Sequence, residues 1–99
     1  MIKHVDEKQF ENEIKNGRVL VDFYATWCGP CKMLGLVMEK LDKEELIPIL
    51  KIDTDEENTL ASKYNIFSIP TVIIFENGKE LKRNVGYLSY EELKKWVSE

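Results

Sequence analysis

Apolar and polar residues follow two rhythms along this chain, and together they predict a regular succession of strands and helices. Nearly continuous apolar runs, typical of strands covered on both faces, occupy 18–25, 47–52 and 71–75. A short strand is predicted within 1–5. The dipeptide Asn77-Gly78 is a strong hairpin signal and predicts that 79–85 returns antiparallel to the strand before it.

Helices are predicted between these strands, where apolar residues recur three or four positions apart and capping residues precede them. The first is expected over 7–16, and the second from the cysteine pair to about residue 43, with Met33 and Met38 on its core face. The predicted N-terminal caps are Asp6 with Gln9, Asp55, and Ser89 with Glu92. The resulting order, βαβαβα followed by ββα, predicts an α/β fold with parallel early strands, helices on both faces and an antiparallel edge.

Composition and charge narrow the classes of protein. A chain of 99 residues with 43% hydrophobic residues suits one domain spanning 1–99. Its net charge of −4 argues against partners such as nucleic acid or an anionic membrane surface. The apolar runs are too short to span a bilayer. The first residues turn acidic without an apolar signal segment, which favours a cytoplasmic location.

The chemistry is concentrated at the only two cysteines, Cys28 and Cys31, which follow a predicted strand and open a predicted helix. A C-x-x-C in this setting predicts a dithiol that cycles through a disulfide. The helix N-terminus favours a thiolate at Cys28, which makes it the attacking sulfur. Gly29 allows a tight turn, and Pro30 fits the first helical turn. Cys31 lies one turn further in, is expected to be less exposed, and resolves the mixed disulfide.

The cysteine pair has three other possible interpretations. A zinc site normally takes four Cys or His ligands, and with the lone His4 a single chain cannot complete one. We therefore expect no metal. A structural disulfide across so short a loop would stabilise little. An inert buried pair fits poorly with Gly-Pro between the cysteines.

Residues 21–33, centred on Cys28-Gly29-Pro30-Cys31, resemble the active-site segment of the thioredoxin family. Later family motifs are matched in the same order by Ile69-Pro70-Thr71, Asn77-Gly78 and Val85-Gly86. The resemblance implies the thioredoxin fold, a central mixed sheet of about five strands flanked by four helices. It also implies a monomeric protein-disulfide reductase that binds no cofactor. Its Cys28–Cys31 disulfide would receive electrons from NADPH through a thioredoxin reductase, and its other partners would be disulfide-containing proteins.

The resemblance assigns further roles. Asp22 would act through water as the general base for Cys31, and Lys51 would pair with Asp22; the alternatives are an exposed strand Asp and a solvent-facing Lys. Pro70 would follow a cis bond, leaving the Ile69 backbone to pair with an extended substrate. A flat apolar rim around Cys28 would comprise Trp27, Gly29, Pro30, Ile69, Gly86 and Tyr87.

Three residues depart from the usual family pattern. Tyr24 replaces a frequent Trp, Leu36 stands where many members have a helix-kinking proline, and Ser68 replaces a frequent glycine. Two other functions on the same fold stay open: a disulfide-forming oxidant, and a binding module in which the dithiol is incidental.

Overall fold

Strands and helices succeed one another in the predicted order, in a computed structural model that describes all of residues 1–99. The strands are β1 (Ile2–His4), β2 (Arg18–Tyr24), β3 (Ile49–Asp53), β4 (Thr71–Glu76) and β5 (Lys79–Val85). The helices are α1 (Glu7–Ile14), α2 (Gly29–Asp42), α3 (Asn58–Lys63) and α4 (Tyr90–Ser98).

The five strands form one mixed sheet in the order β1-β3-β2-β4-β5. β3 pairs in parallel with both β1 and β2, as the crossover rule predicts. The antiparallel part is wider than the hairpin alone requires, because β4 is antiparallel to β2 as well as to β5. β2 is therefore hydrogen-bonded along both edges, and the loop that follows it projects from the middle of the sheet.

Two apolar layers cover the sheet, one on each face. On one face, Phe10 of α1 and Leu60 of α3 pack against alternate residues of the central strands. On the other face, Leu34 and Met38 of α2 and Leu93 of α4 pack against the remaining set. Because side chains alternate along a strand, Asp22 shares the face covered by α2 with its neighbour but one, Leu20.

The capping boxes of α1 and α4 are both present, but two of the other expectations were wrong. The N-cap position of α3 is held by Glu57 rather than Asp55, and the Glu57 side chain makes no capping hydrogen bond. Asp53 accepts hydrogen bonds from the backbone N–H groups of Asp55 and Glu56 and holds them in a turn before the helix. Met33 is 56% exposed rather than part of the core, since it lies off the buried face of α2, which is formed by Cys31, Leu34, Val37, Met38 and Leu41.

The hairpin between β4 and β5 is hydrogen-bonded to the residue that precedes β2. Asn77 and Gly78 both have positive φ, 50° and 86°, as the predicted two-residue turn requires. The Gly17 N–H donates to Asn77 Oδ1 at 2.8 Å, and the Asn77 N–H donates to the Gly17 carbonyl at 2.9 Å. This exchange anchors the start of β2 to the end of β4, at the end of the sheet away from the cysteines.

Candidate active site

The two cysteines lie where β2 gives way to α2, and they are joined in a disulfide with their Cα atoms 5.2 Å apart. Cys28 is the N-cap residue of α2, and its sulfur accepts a hydrogen bond from the Cys31 N–H at 3.2 Å. Pro30 occupies the first turn, where a missing N–H costs no hydrogen bond. The helix end thus directs a donor and its positive dipole at one sulfur, an arrangement that favours a thiolate there after reduction.

Both cysteines are more enclosed than the sequence indicates. Cys28 is 5% exposed and Cys31 2%, so their order is as expected but the difference is small. Ala25 packs with the two sulfurs, and Tyr24 and Ile69 cover the cluster from its edges. A target disulfide can therefore reach Cys28 only at the small part of its surface that stays exposed.

The loop before β4 lies beside the dithiol. The Ile69–Pro70 peptide bond is cis, as the resemblance implies. The Ile69 carbonyl oxygen lies 3.9 Å from Cys28 Sγ, and the Pro70 carbonyl accepts a hydrogen bond from the Gly86 N–H at 2.8 Å. Two segments distant in sequence are thereby brought to the dithiol and held beside it.

The remaining residues of the predicted rim are open to solvent. Trp27 is 69% exposed and Tyr87 41%. Gly29 and Pro30 are also exposed, and Gly86 is half-buried. An apolar surface therefore surrounds a nearly closed sulfur pair.

Asp55 is a contact of this rim that the sequence interpretation missed. Its Oδ2 accepts a hydrogen bond from the Trp27 indole N–H at 2.8 Å. The signal available in the sequence was positional: β2 and β3 are parallel, so the loops that follow them emerge at the same edge of the sheet. Asp55 follows β3 just as Trp27 follows β2.

Asp22 is fully buried, and it belongs to a polar row that crosses three strands. The register pairs Asp22 with Lys51 and Lys51 with His4. Lys51 Nζ lies 3.1 Å from Asp22 Oδ2, an ion-pair distance, but neither carboxylate oxygen accepts a hydrogen bond of good geometry within the chain. The Lys51 ammonium also lies 4.5 Å from the centre of the Tyr24 ring, a cation–π distance.

Burial and charge act in opposite directions on Asp22. Loss of solvation raises the pKa of the carboxyl, and the charge and hydrogen bond of Lys51 lower it, with His4 adding a smaller lowering effect. Burial is the largest of these, and the Asp22 pKa is raised. Burial also raises the pKa of the Tyr24 hydroxyl, helped by the carboxylates of Asp53 and Glu56.

A groove of about 330 Å³ along the side of α2 links Lys51 to the dithiol. Cys31 lines one part of it and Lys51 another, while Asp22 reaches it only through Lys51. Gly35 helps to leave this space open, because a Cβ at that position would lie 3.5 Å from Lys51 Nζ. An adjoining space of about 350 Å³ extends the groove to His4, whose Nδ1 is 3.4 Å from the Tyr24 hydroxyl.

The similarity of this chain to known proteins identifies its family. The profile of the thioredoxin family matches residues 1–99. The chain belongs to the thioredoxin family. Thioredoxin from Chlamydia trachomatis serovar D is 44% identical over 99 residues, which cover 99% of this chain and 97% of that protein. Thioredoxin from Staphylococcus aureus is 45% identical over 94 residues, 93% of this chain and 90% of the relative.

Solved thioredoxin structures are similar in fold as well. A mutant thioredoxin from Halobacterium salinarum superposes with a TM-score of 0.90 at 35% identity, covering 98% of this chain and 88% of that chain. Thioredoxin from Malassezia sympodialis gives a TM-score of 0.88 at 31% identity, with 98% and 90% covered. The expected thioredoxin fold is confirmed, and the protein is a thiol–disulfide oxidoreductase of this family. Disulfide-containing substrates and a reductase partner follow from that membership.

The three departures from the family pattern have identifiable surroundings here. Tyr24 offers its ring to Lys51 and its hydroxyl to His4. Leu36 is 69% exposed on a continuous α2. The Ser68 carbonyl accepts a hydrogen bond from the Thr71 hydroxyl at 2.6 Å, which fixes the loop just before the cis bond.

Two further properties of this thioredoxin-family chain bear on its site. No cluster of three or more His, Cys, Asp or Glu side chains could hold a metal ion. None of the four helices has the length and apolar character that crossing a membrane requires.

The Trp27–Asp55 hydrogen bond leads to a first prediction. Asp55→Ala should release the Trp27 indole and slow reduction of a protein disulfide by about two- to fivefold, which corresponds to ~0.5–1 kcal/mol, the lower part of the net range for an intramolecular hydrogen bond. Asp55→Asn keeps an acceptor oxygen and should lose less. The indole N–H resonance of Trp27 in NMR spectra reports the contact directly. An unchanged resonance in Asp55→Ala would show that the bond does not form in solution.

Proposed function

We propose that this protein is a general protein-disulfide reductase in which Cys28 attacks and Cys31 resolves. The observation that carries the proposal is the position of Cys28 Sγ at the N-terminus of α2, where it accepts the Cys31 N–H at 3.2 Å. A sulfur in this position is favoured as a thiolate, and the thiolate is the nucleophile of disulfide exchange.

The reaction proceeds in two exchanges. The Cys28 thiolate attacks one sulfur of a target disulfide; a Cys28–target bond forms, and the other target sulfur leaves as a thiolate that takes up a proton. Cys31 then loses its proton and attacks Cys28 Sγ, so that the Cys28–Cys31 disulfide forms and the second target thiolate departs. Two electrons pass from the dithiol to the target, and no other reactant is consumed.

Asp22 is proposed as the general base of the second exchange, acting through water with Lys51 as its ion-pair partner. Two facts support this: the Asp22 pKa is raised by burial, toward the range in which a carboxylate accepts a proton near neutral pH, and the groove beside α2 connects Lys51 with Cys31. Lys51 keeps the carboxylate available, because its positive charge partly offsets the cost of burying the ionised form.

The surface around Cys28 is proposed to bind the substrate. The N–H and the carbonyl of Ile69 are free to pair with an extended substrate segment, since neither group takes part in a backbone–backbone hydrogen bond within the chain. The exposed Trp27 supplies apolar contact on the other side of the sulfur. The proposed substrate-binding residues are Trp27, Gly29, Pro30, Ile69, Pro70 and Gly86.

The wider setting is also part of the proposal. Residues 1–99 act as one monomeric domain in the cytoplasm. The reductase partner is a thioredoxin reductase that draws its electrons from NADPH. Family membership supports this setting.

The direction of electron flow is tested by equilibration with glutathione. The disulfide form of the protein should persist at glutathione ratios that fully reduce a disulfide-forming oxidant, because a reductase dithiol gives up its electrons more readily; the two equilibrium constants should differ at least about a hundredfold. Trapping both states with an alkylating reagent and separating them by mass measures the ratio. A midpoint in the range of periplasmic oxidants would instead favour a disulfide-forming function. Full biological activity of Cys28→Ser would favour a binding module.

A further inference from the structure

Phe67 is the most exposed large hydrophobic residue of the chain, with 89% of its surface open to solvent. A single apolar side chain on a protein surface is ordinary. The position of this one is not, because Phe67 lies two residues before Ile69, whose carbonyl oxygen is 3.9 Å from Cys28 Sγ. Their Cα atoms can be no more than about 7 Å apart.

The backbone on both sides of Phe67 is held in place. The Ile66 N–H donates to the Ala61 carbonyl at 2.9 Å, and the Thr71 hydroxyl donates to the Ser68 carbonyl at 2.6 Å. Between these anchors, the N–H groups of residues 67–69 donate no hydrogen bond within the chain. Phe67 thus projects from a fixed loop beside unpaired peptide groups, and little ordering entropy opposes its contact with a partner.

Exposed aromatic residues therefore stand on two separate segments that border the dithiol. Trp27 directly precedes Cys28 and is 69% exposed, but its indole is tied to Asp55. The side chain of Phe67 has no hydrogen-bond donor or acceptor, so its contribution to substrate binding is the burial of apolar surface. In the proposed pairing, an extended substrate runs along the backbone of Ile69, two residues from Phe67, which brings the side chains beside its cysteine to the loop that carries Phe67.

We infer that Phe67 is a specificity-determining residue that selects disulfides with large apolar side chains next to the reacting cysteine. This rests on the proposed reductase function and names the substrate class for the same site. The occupant is an apolar side chain of a disulfide-bonded protein. Phe67 touches neither sulfur, so its substitution should change the selection of substrates and leave the exchange chemistry unaltered.

Two synthetic disulfide peptides test this inference. They are identical except that the residues flanking one cysteine, at one and two positions on each side, are Leu in the first and Ser in the second. Pre-reduced protein is mixed with each in single turnover, and the reduced peptide is quantified by chromatography. The wild-type chain should favour the Leu peptide. Phe67→Ser should lower the rate constant for it by about fivefold, as expected when an aromatic contact is lost, and leave the Ser peptide unchanged.

Matched variants complete the test. Leu46→Ser removes a half-exposed apolar residue beyond the far end of α2, about 20 Å from the dithiol, and should change neither rate. Phe67→Leu should retain the preference. Reduction of 5,5′-dithiobis(2-nitrobenzoic acid), a small disulfide, should be equal in every variant. Equal wild-type rates on both peptides, or equal slowing of both by Phe67→Ser, would overturn the inference. Failure of the reductase proposal is distinguishable, since neither peptide would then be reduced, whatever its flanking residues.

Discussion

Cys31→Ser is expected to attack a target disulfide once and then remain covalently bound to it. The Cys28 thiolate can still form the mixed disulfide, but no second sulfur is present to release it. Multiple-turnover reduction of insulin should fall at least about a thousandfold, since removing the group that completes a covalent cycle typically costs this much. Mass spectrometry of the reaction mixture should show one target covalently attached per protein.

Cys28→Ser is the matched control, because it changes the same atom type one helical turn away. It should neither reduce insulin nor form a lasting adduct, since the sulfur that remains, Cys31, is 2% exposed and is not the one that caps the helix. If Cys28→Ser formed the adduct and Cys31→Ser did not, the roles assigned to the two cysteines would have to be exchanged.

Lys51→Met and Asp22→Asn are expected to change stability in opposite directions. Lys51→Met leaves the fully buried Asp22 without its countercharge and should cost about 3 kcal/mol at pH 8, as when one partner of a buried pair is removed. Asp22→Asn removes the buried charge itself. The Lys51 ammonium that remains is partly exposed, borders the groove and lies over the Tyr24 ring, so the variant should gain about 1–3 kcal/mol.

The pH dependence distinguishes this account from a loss of packing. The pKa of Asp22 is raised in the folded state, so folding retains a proton that the unfolded chain releases near its ordinary value of about 3.9. The stabilising effect is complete below that value and is lost as pH rises through the folded-state pKa. Urea unfolding should therefore show wild-type stability falling over this interval, more steeply in Lys51→Met and without this component in Asp22→Asn. A Lys51→Met deficit that persists at pH 4 would contradict the electrostatic explanation.

Most of the fold could be predicted because its signals are local. The capping boxes at Asp6 and Ser89 involve residues three apart, and the Asn77-Gly78 turn involves two neighbours. The Asp55 prediction was wrong because a second carboxylate, Asp53, also stands near the start of α3. Which of the two accepts hydrogen bonds from the backbone N–H groups before the helix depends on where β3 ends. Met33 was wrongly assigned to the core because helical spacing identifies the apolar face of a helix but not how far that face extends.

The candidate site was predicted in its residues more than in its contacts. The sequence places Cys28 at a helix start, but its burial depends on Ile69, some forty residues away. The ion pair of Asp22 with Lys51 came from the family resemblance, and no local pattern joins residues on different strands. The contact of Asp55 with Trp27 and the position of Phe67 near Ile69 were not predicted, because each depends on residues that are distant in sequence or on how the loop is folded.

The sheet order has a practical consequence for dividing the molecule. A cut in the exposed loop after α2, at Glu45 for example, would leave Asp22 and both cysteines on one piece. Lys51 and Ile69 would be on the other. The two pieces would share the sheet through alternating strands, β1 and β2 from the first and β3 to β5 from the second. Neither piece carries a whole active centre, so recovery of redox activity on mixing would report their association and make the chain a candidate split reporter.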